Sequence, residues 1–126
     1  MQQSSSFFIV LTGDKDAFNG RLSCTYDRPQ RLTGYWEVAL VDFNKITTPL
    51  YIMCDLVDYS HINNSKVKLL DYISTQNSHQ PNYIGLVHKR FSSINIDIKK
   101  SITSEEIPKF TEDITCMLHF RRSAFL

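Results

Sequence analysis

An all-β sandwich is the fold class that this sequence predicts, and three observations lead to it. Apolar residues recur with period two, β-branched and aromatic residues fill the apolar runs, and turn-forming residues interrupt those runs at short intervals. Helical periodicity is almost absent, so little helix is expected.

Taken in chain order, the first strands are expected at 7–11, 22–26, 35–43 and 50–57, followed by 67–73 and 83–87. The clearest alternation follows Phe91. In Ile94-Asn95-Ile96-Asp97-Ile98-Lys99 the three isoleucines face one way, and Asn95, Asp97 and Lys99 face the other. The last segment, 114–120, puts Ile114, Cys116, Leu118 and Phe120 on one face. Thr115, Met117, His119 and Arg121 form a mixed opposite face. About eight strands result, at the spacing expected of a sandwich.

Turn signals fall between these runs at Thr12-Gly13-Asp14, Asn19-Gly20, Asp27-Arg28-Pro29, Thr33-Gly34, Thr48-Pro49, Asn63-Asn64-Ser65 and Gln80-Pro81-Asn82. Residues 74–82 read as a solvated loop. In 101–108, Ser104-Glu105-Glu106 is expected to cap a single helical turn that Pro108 stops.

A chain of 126 residues supports one domain, and residues 1–6 are expected to form a flexible arm ahead of it. With 42% hydrophobic and 21% charged residues it has the composition of a folded globular protein. The formal charge of +1 supplies no global field to draw it onto nucleic acid or an anionic membrane. Cys24, Cys54 and Cys116 are odd in number, far apart and set in apolar runs, which predicts buried free thiols in a reducing compartment. The first residues lack the pattern of a secretory signal, and no run approaches the ~18 apolar residues of a membrane span. No membrane contact is expected.

Catalytic chemistry finds little support. His61, His79, His88 and His119 lack the i,i+2 or i,i+4 spacing of paired metal ligands, so no metal or cofactor is expected. There is no Gly-x-Ser-x-Gly, and Gly13, Gly20, Gly34 and Gly85 are too scattered to build a phosphate-cradling loop. The acidic pairs Glu105-Glu106 and Glu112-Asp113 fall in loop-like positions. The expectation is a non-enzyme.

Basic pairs stand out more. Lys89-Arg90, Lys99-Lys100 and Arg121-Arg122 either discourage edge-to-edge pairing or contact a neighbouring subunit or nucleic acid. Arg121-Arg122 leads into the apolar Ala124-Phe125-Leu126, which needs a partner or a groove. Arg121, Arg122, Phe125, Leu126, Lys89 and Arg90 are therefore the candidate contact residues. Trp36, Phe43, Phe91 and Phe120 read as core, whereas Tyr59 and Tyr83 beside polar loops read equally as interface anchors.

Four segments, in order, resemble the minor capsid (penton) proteins encoded by Polinton/Maverick elements and related viruses. Gly34-Tyr35-Trp36-Glu37-Val38-Ala39-Leu40 is similar to that family's Gly-x-Trp-Glu-Val-x-Leu strand. Pro49-Leu50-Tyr51-Ile52-Met53-Cys54-Asp55-Leu56-Val57 resembles its Leu-x-Tyr-x-Cys-Asp-like strand. Phe91 with Ile94-Asn95-Ile96-Asp97-Ile98 resembles its Phe-x-x-Ile-x-Ile-x-Ile strand, and Leu118-His119-Phe120-Arg121-Arg122 its closing strand. Lys100-Ser101-Ile102-Thr103 departs from the pattern, because the family carries a glycine-bearing turn there.

The resemblance implies a single jelly roll of two packed four-stranded antiparallel sheets. It also implies a capsid or penton-like subunit that assembles into an icosahedral particle inside the host cell and resides in the virion. The implied partners are copies of itself in a pentamer or shell, other capsid proteins and the packaged genome. The alternative expectation is a receptor- or glycan-binding sandwich on a virion surface, with 61–65 and 74–82 as its recognition loops.

Overall fold

Period-two alternation fixes which side of each strand meets the core, and the strands then pair so that these sides face one another. The computed structural model describes residues 5–44, 49–74 and 80–123. The strands are β1 (Ser6–Gly13), β2 (Arg21–Arg31), β3 (Trp36–Phe43), β4 (Leu50–Cys54), β5 (Ser60–Ile62), β6 (Ser65–Val67), β7 (Leu69–Ile73), β8 (Ile84–Gly85), β9 (Arg90–Lys99) and β10 (Ile114–Arg122). They form one sheet of order β1-β10-β3-β8, a second of order β2-β9-β4-β7, and the separate hairpin β5-β6.

This order is that of a jelly roll. The first strand pairs with the last (β1 with β10), β2 with β9, β3 with β8 and β4 with β7, all antiparallel. The chain is thus one long antiparallel ribbon whose tip lies between β4 and β7. Rolling the ribbon lays its pairs alternately in the two sheets, which removes the need for helical crossovers.

Inward residues from both sheets make the core. Sheet one supplies Leu11, Trp36, Val38, Leu40, Ile114, Cys116, Leu118 and Phe120. Sheet two supplies Leu22, Leu50, Ile52, Cys54, Phe91 and the isoleucines 94, 96 and 98. Phe7, Phe43 and Phe110 pack against its margin while half-buried. At about 25 cal/mol per Å² of apolar area, this burial is the main favourable term in the fold.

Three irregularities correct the period-two reading. In β3, the pairing with β10 steps from Leu118↔Leu40 to Met117↔Asp42, so Val41 is an extra residue. That bulge resets the alternation, so Phe43 joins the core side although it lies an odd step from Leu40. In β4–β7, the register skips Leu70, and Asp71 comes to lie opposite Ile52. The third lies in β2, where Asp27-Arg28-Pro29 is not a turn between strands. These residues bulge inside β2, between Thr25↔Ser93 and Gln30↔Phe91, and Pro29 is tolerated because β2 is an edge strand.

Residues 101–108 hold no helix. The Ser104 hydroxyl accepts the Glu106 N–H at 3.0 Å, and Ser101 Oγ accepts the Ser104 N–H. These local bonds compete with helix formation. Asn63-Asn64 does turn the chain, as expected, and it makes a hairpin. Both asparagines take positive φ (49° and 66°), the backbone of a two-residue I′ turn, and join β5 to β6. Of the expected arm, residues 1–4 lie outside the described residues, while Ser6 already belongs to β1.

Candidate interaction surfaces

On one side of the sandwich β1 begins beside the end of β10 (Ser6↔Arg121) and β2 ends beside the start of β9 (Arg31↔Arg90). This terminal side also carries the loops 32–35, 55–59 and 86–89 and the β5–β6 hairpin. Backbone bonds tie the loops together. Lys89 C=O accepts the Leu32 N–H at 2.8 Å, Leu56 C=O accepts both Val87 and His88 N–H, and Tyr35 C=O accepts the Ser123 N–H at 2.7 Å.

Four of the six expected contact residues gather there, and the structure separates their roles. Lys89 Nζ donates to the Gly34 carbonyl at 2.8 Å and stands 5.5 Å from the centre of the Tyr35 ring. Arg90 lies directly across the ladder from Arg31. The Arg122 guanidinium lies 5.6 Å from the Trp36 ring centre and against Gly34, 3.1 Å from where a Cβ would stand. Gly34 has φ +87°, so a side chain there would meet both strain and this guanidinium.

Arg121 is used differently. Its Nε donates to Glu37 at 2.8 Å, and the guanidinium lies 3.4 Å from the Tyr83 ring centre. Tyr83 OH in turn meets His119 Nδ1 at 2.7 Å, and the His119 ring stacks on Phe8 at 4.5 Å. This row crosses the outer face of sheet one. Phe8 is 60% exposed and Val10 50% exposed, both on the outward side of edge strand β1. Phe125 and Leu126 lie outside the described residues.

Sequence reading missed further members of the terminal side. Lys66 and Lys68 lie 4.7 and 5.0 Å from the ring centre of Tyr59, which is half exposed. The Asn63-Asn64 turn contained the signal. It sets His61 opposite Lys66 and Ser60 opposite Val67, so continuing that register brings Tyr59 to Lys68. Lys68 Nζ also meets His88 Nε2 at 3.4 Å, which links the hairpin to the loop before β9.

Charge is divided unevenly. Residues 26–37, 55–68, 86–90 and 121–122 contain Arg28, Arg31, Lys66, Lys68, Lys89, Arg90, Arg121 and Arg122, eight cations, against Asp27, Glu37, Asp55 and Asp58, four carboxylates. The remaining described residues hold five cations, Lys15, Arg21, Lys99, Lys100 and Lys109, and nine carboxylates. A net charge near zero therefore conceals a basic side and an acidic remainder.

Among the described residues no three His, Cys, Asp or Glu side chains come together as metal ligands, and no helix is long and apolar enough to cross a membrane. The thiols of Cys54 and Cys116 are buried, and burial pushes both up to about 12. A depression of about 500 Å³ is an open groove between Arg21, Asp97 and the 104–107 segment. Its Arg21–Asp97 pair is closed on itself at 2.7 and 3.2 Å.

Fold and surface together define a single jelly-roll domain with a basic, aromatic terminal side and an apolar patch on one sheet edge. Compared with known proteins, the sequence matches no family model and none of the curated proteins.

Proposed function

We propose that this protein is a structural subunit of a viral or virus-like capsid, of the penton-like kind, which works by assembling with copies of itself. The observation that carries the reading is the outward pair Phe8 and Val10 on edge strand β1 of a jelly roll. An edge strand offers unpaired backbone groups, and natural proteins guard such edges with charge, proline or a covering segment. Here the outward side of the edge carries a phenylalanine and a valine. Such an edge fits a surface that a neighbouring subunit covers. One patch on each copy meeting a different patch on the next gives a heterologous contact, which closes into a ring at the right rotation.

Support also comes from the four segments that resemble Polinton/Maverick minor capsid proteins. Trp36 and Cys54, within two of them, are core residues that shape the sandwich rather than a reactive site. The alternative of a receptor- or glycan-binding module draws less support. Its expected recognition loop at 61–65 is a tight hairpin, and residues 75–79 of the other lie outside the described residues.

The test is light scattering and cryo-electron microscopy of the full chain across protein concentration. Closed rings or shells with β1 at the subunit contact, lost in Phe8→Asp/Val10→Lys with circular dichroism unchanged, support the reading. A wild-type chain that stays monomeric at all concentrations and in the presence of its particle's other proteins overturns it.

A further inference from the structure

We infer that the terminal side binds single-stranded nucleic acid along a strip running from Tyr59 through Lys68, His88, Lys89 and Tyr35 to Arg122. The strip is continuous by contact. Lys68 lies against the Tyr59 ring and meets His88. The next residue, Lys89, bonds the Gly34 carbonyl and faces Tyr35, and Arg122 packs against Gly34.

Three features point to this ligand. The first is charge: eight of the thirteen cations among the described residues stand on this side with half as many carboxylates. Cations spaced along a surface suit a polyanion, which gains from displacing its own counterions. The second is the interleaving of cations with aromatic rings. Tyr59, Tyr35 and Trp36 each meet a lysine or arginine on this side, at 4.7, 5.0, 5.5 and 5.6 Å. Tyr35 and Tyr59 remain 59% and 50% exposed, which leaves ring area for an unpaired base to stack on. A duplex has no free base faces to offer them.

The third is a depression of about 360 Å³ lined by Arg31, Thr33, Gly34, Lys89 and Arg90. Arg31 and Arg90 are cross-strand partners in the β2–β9 ladder, so with Lys89 they give this depression a basic lining. A phosphate seated in this depression meets that basic lining while the strip holds the neighbouring nucleotides.

The strip is separate from the Phe8–Val10 patch, so a monomer would bind as a subunit does, and the inference does not depend on assembly. It is tested by fluorescence anisotropy of a labelled 20-nucleotide oligothymidylate with the full chain at 50 mM salt. Wild-type protein should bind, with affinity falling steeply as salt rises. Lys89→Glu/Arg90→Glu should weaken binding at least tenfold. Tyr35→Ala should weaken it by about fivefold or more, the loss of one stacked base, and Tyr35→Phe should restore it. Lys100→Glu, away from the strip, should leave binding within twofold. Three results would each overturn the proposal: no binding by the wild type, equal loss in Lys100→Glu, or unchanged affinity in Tyr35→Ala. Binding of an equal-length duplex or of heparin as tightly as the oligothymidylate would also overturn it, by reducing the strip to a general polyanion surface.

Discussion

Phe7 lies flat on Phe120, with ring centroids 4.9 Å apart and planes inclined by 6°. The two are cross-strand partners in the β1–β10 ladder, and Trp36 closes the cluster at 5.5 Å from Phe7. The first and last strands of the rolled ribbon are therefore locked by an aromatic pair as well as by backbone bonds. Phe120 is fully buried, and Phe7 only partly.

That asymmetry predicts unequal costs. Phe120→Ala should lower unfolding free energy by about 3–5 kcal/mol, because a large ring leaves a cavity that the surrounding sheet cannot fill. Phe7→Ala should cost less, since solvent already reaches part of its site. Urea denaturation followed by Trp36 fluorescence measures both, and an equal loss in the two variants would contradict the packing described.

Gly13 ends β1 with a Cβ position 2.6 Å from Leu22 Cδ2. Leu22 is a flexible side chain, but it is itself buried in the core and has little room to turn. Gly13→Ala should therefore cost about 1–3 kcal/mol through overpacking. Gly85→Ala, with nothing within 4 Å of its Cβ position, should stay within about 0.5 kcal/mol of wild type. Denaturation midpoints of the two variants decide the point.

The strands that bury one face were legible, because such burial writes alternation into the sequence. The isoleucines of β9 and the Ile114–Phe120 face of β10 are the plainest cases. The bulges were not legible. Val41 and the 26–29 insertion show only as a break in parity, and a break in parity also marks a strand's end. The basic side was half legible: Lys89-Arg90 and Arg121-Arg122 are visible as pairs, but Arg31 reaches Arg90 only through the β2–β9 register. A net charge of +1 hid the rest, because summing over the chain discards where the charges stand.

The β5–β6 turn offers a local test. Asn64 sits at φ 66°, where a β-branched residue is strained by about 1–2 kcal/mol and glycine is not. Asn64→Val should speed hydrogen exchange at the β5–β6 amides, and Asn64→Gly should leave it unchanged. If the hairpin holds Tyr59 against Lys66 and Lys68, the valine variant should also expose the Tyr59 ring to solvent, read by tyrosine fluorescence quenching.

Buried thiols make the fold less stable at alkaline pH. Cys54 and Cys116 are pushed up to about 12 from an ordinary 9.0, in both cases mainly because burial disfavours the thiolate. Unfolding returns each to water. Below pH 9 both states keep their thiol protons and the thiols add no pH dependence. Between pH 9 and 12 the unfolded chain has lost protons that the folded chain keeps, so stability falls as pH rises, by about 1.4 kcal/mol per unit for each thiol. The double variant Cys54→Ala/Cys116→Ala is less stable at neutral pH but should lose the thiol part of this slope. Urea midpoints at pH 8, 9.5 and 11 measure it. The same burial predicts that at pH 8 a thiol reagent modifies Cys54 and Cys116 only on addition of denaturant, whereas the half-buried Cys24 reacts first. Rapid modification of all three thiols in the folded protein would show that the two sheets open far more readily than their shared core implies.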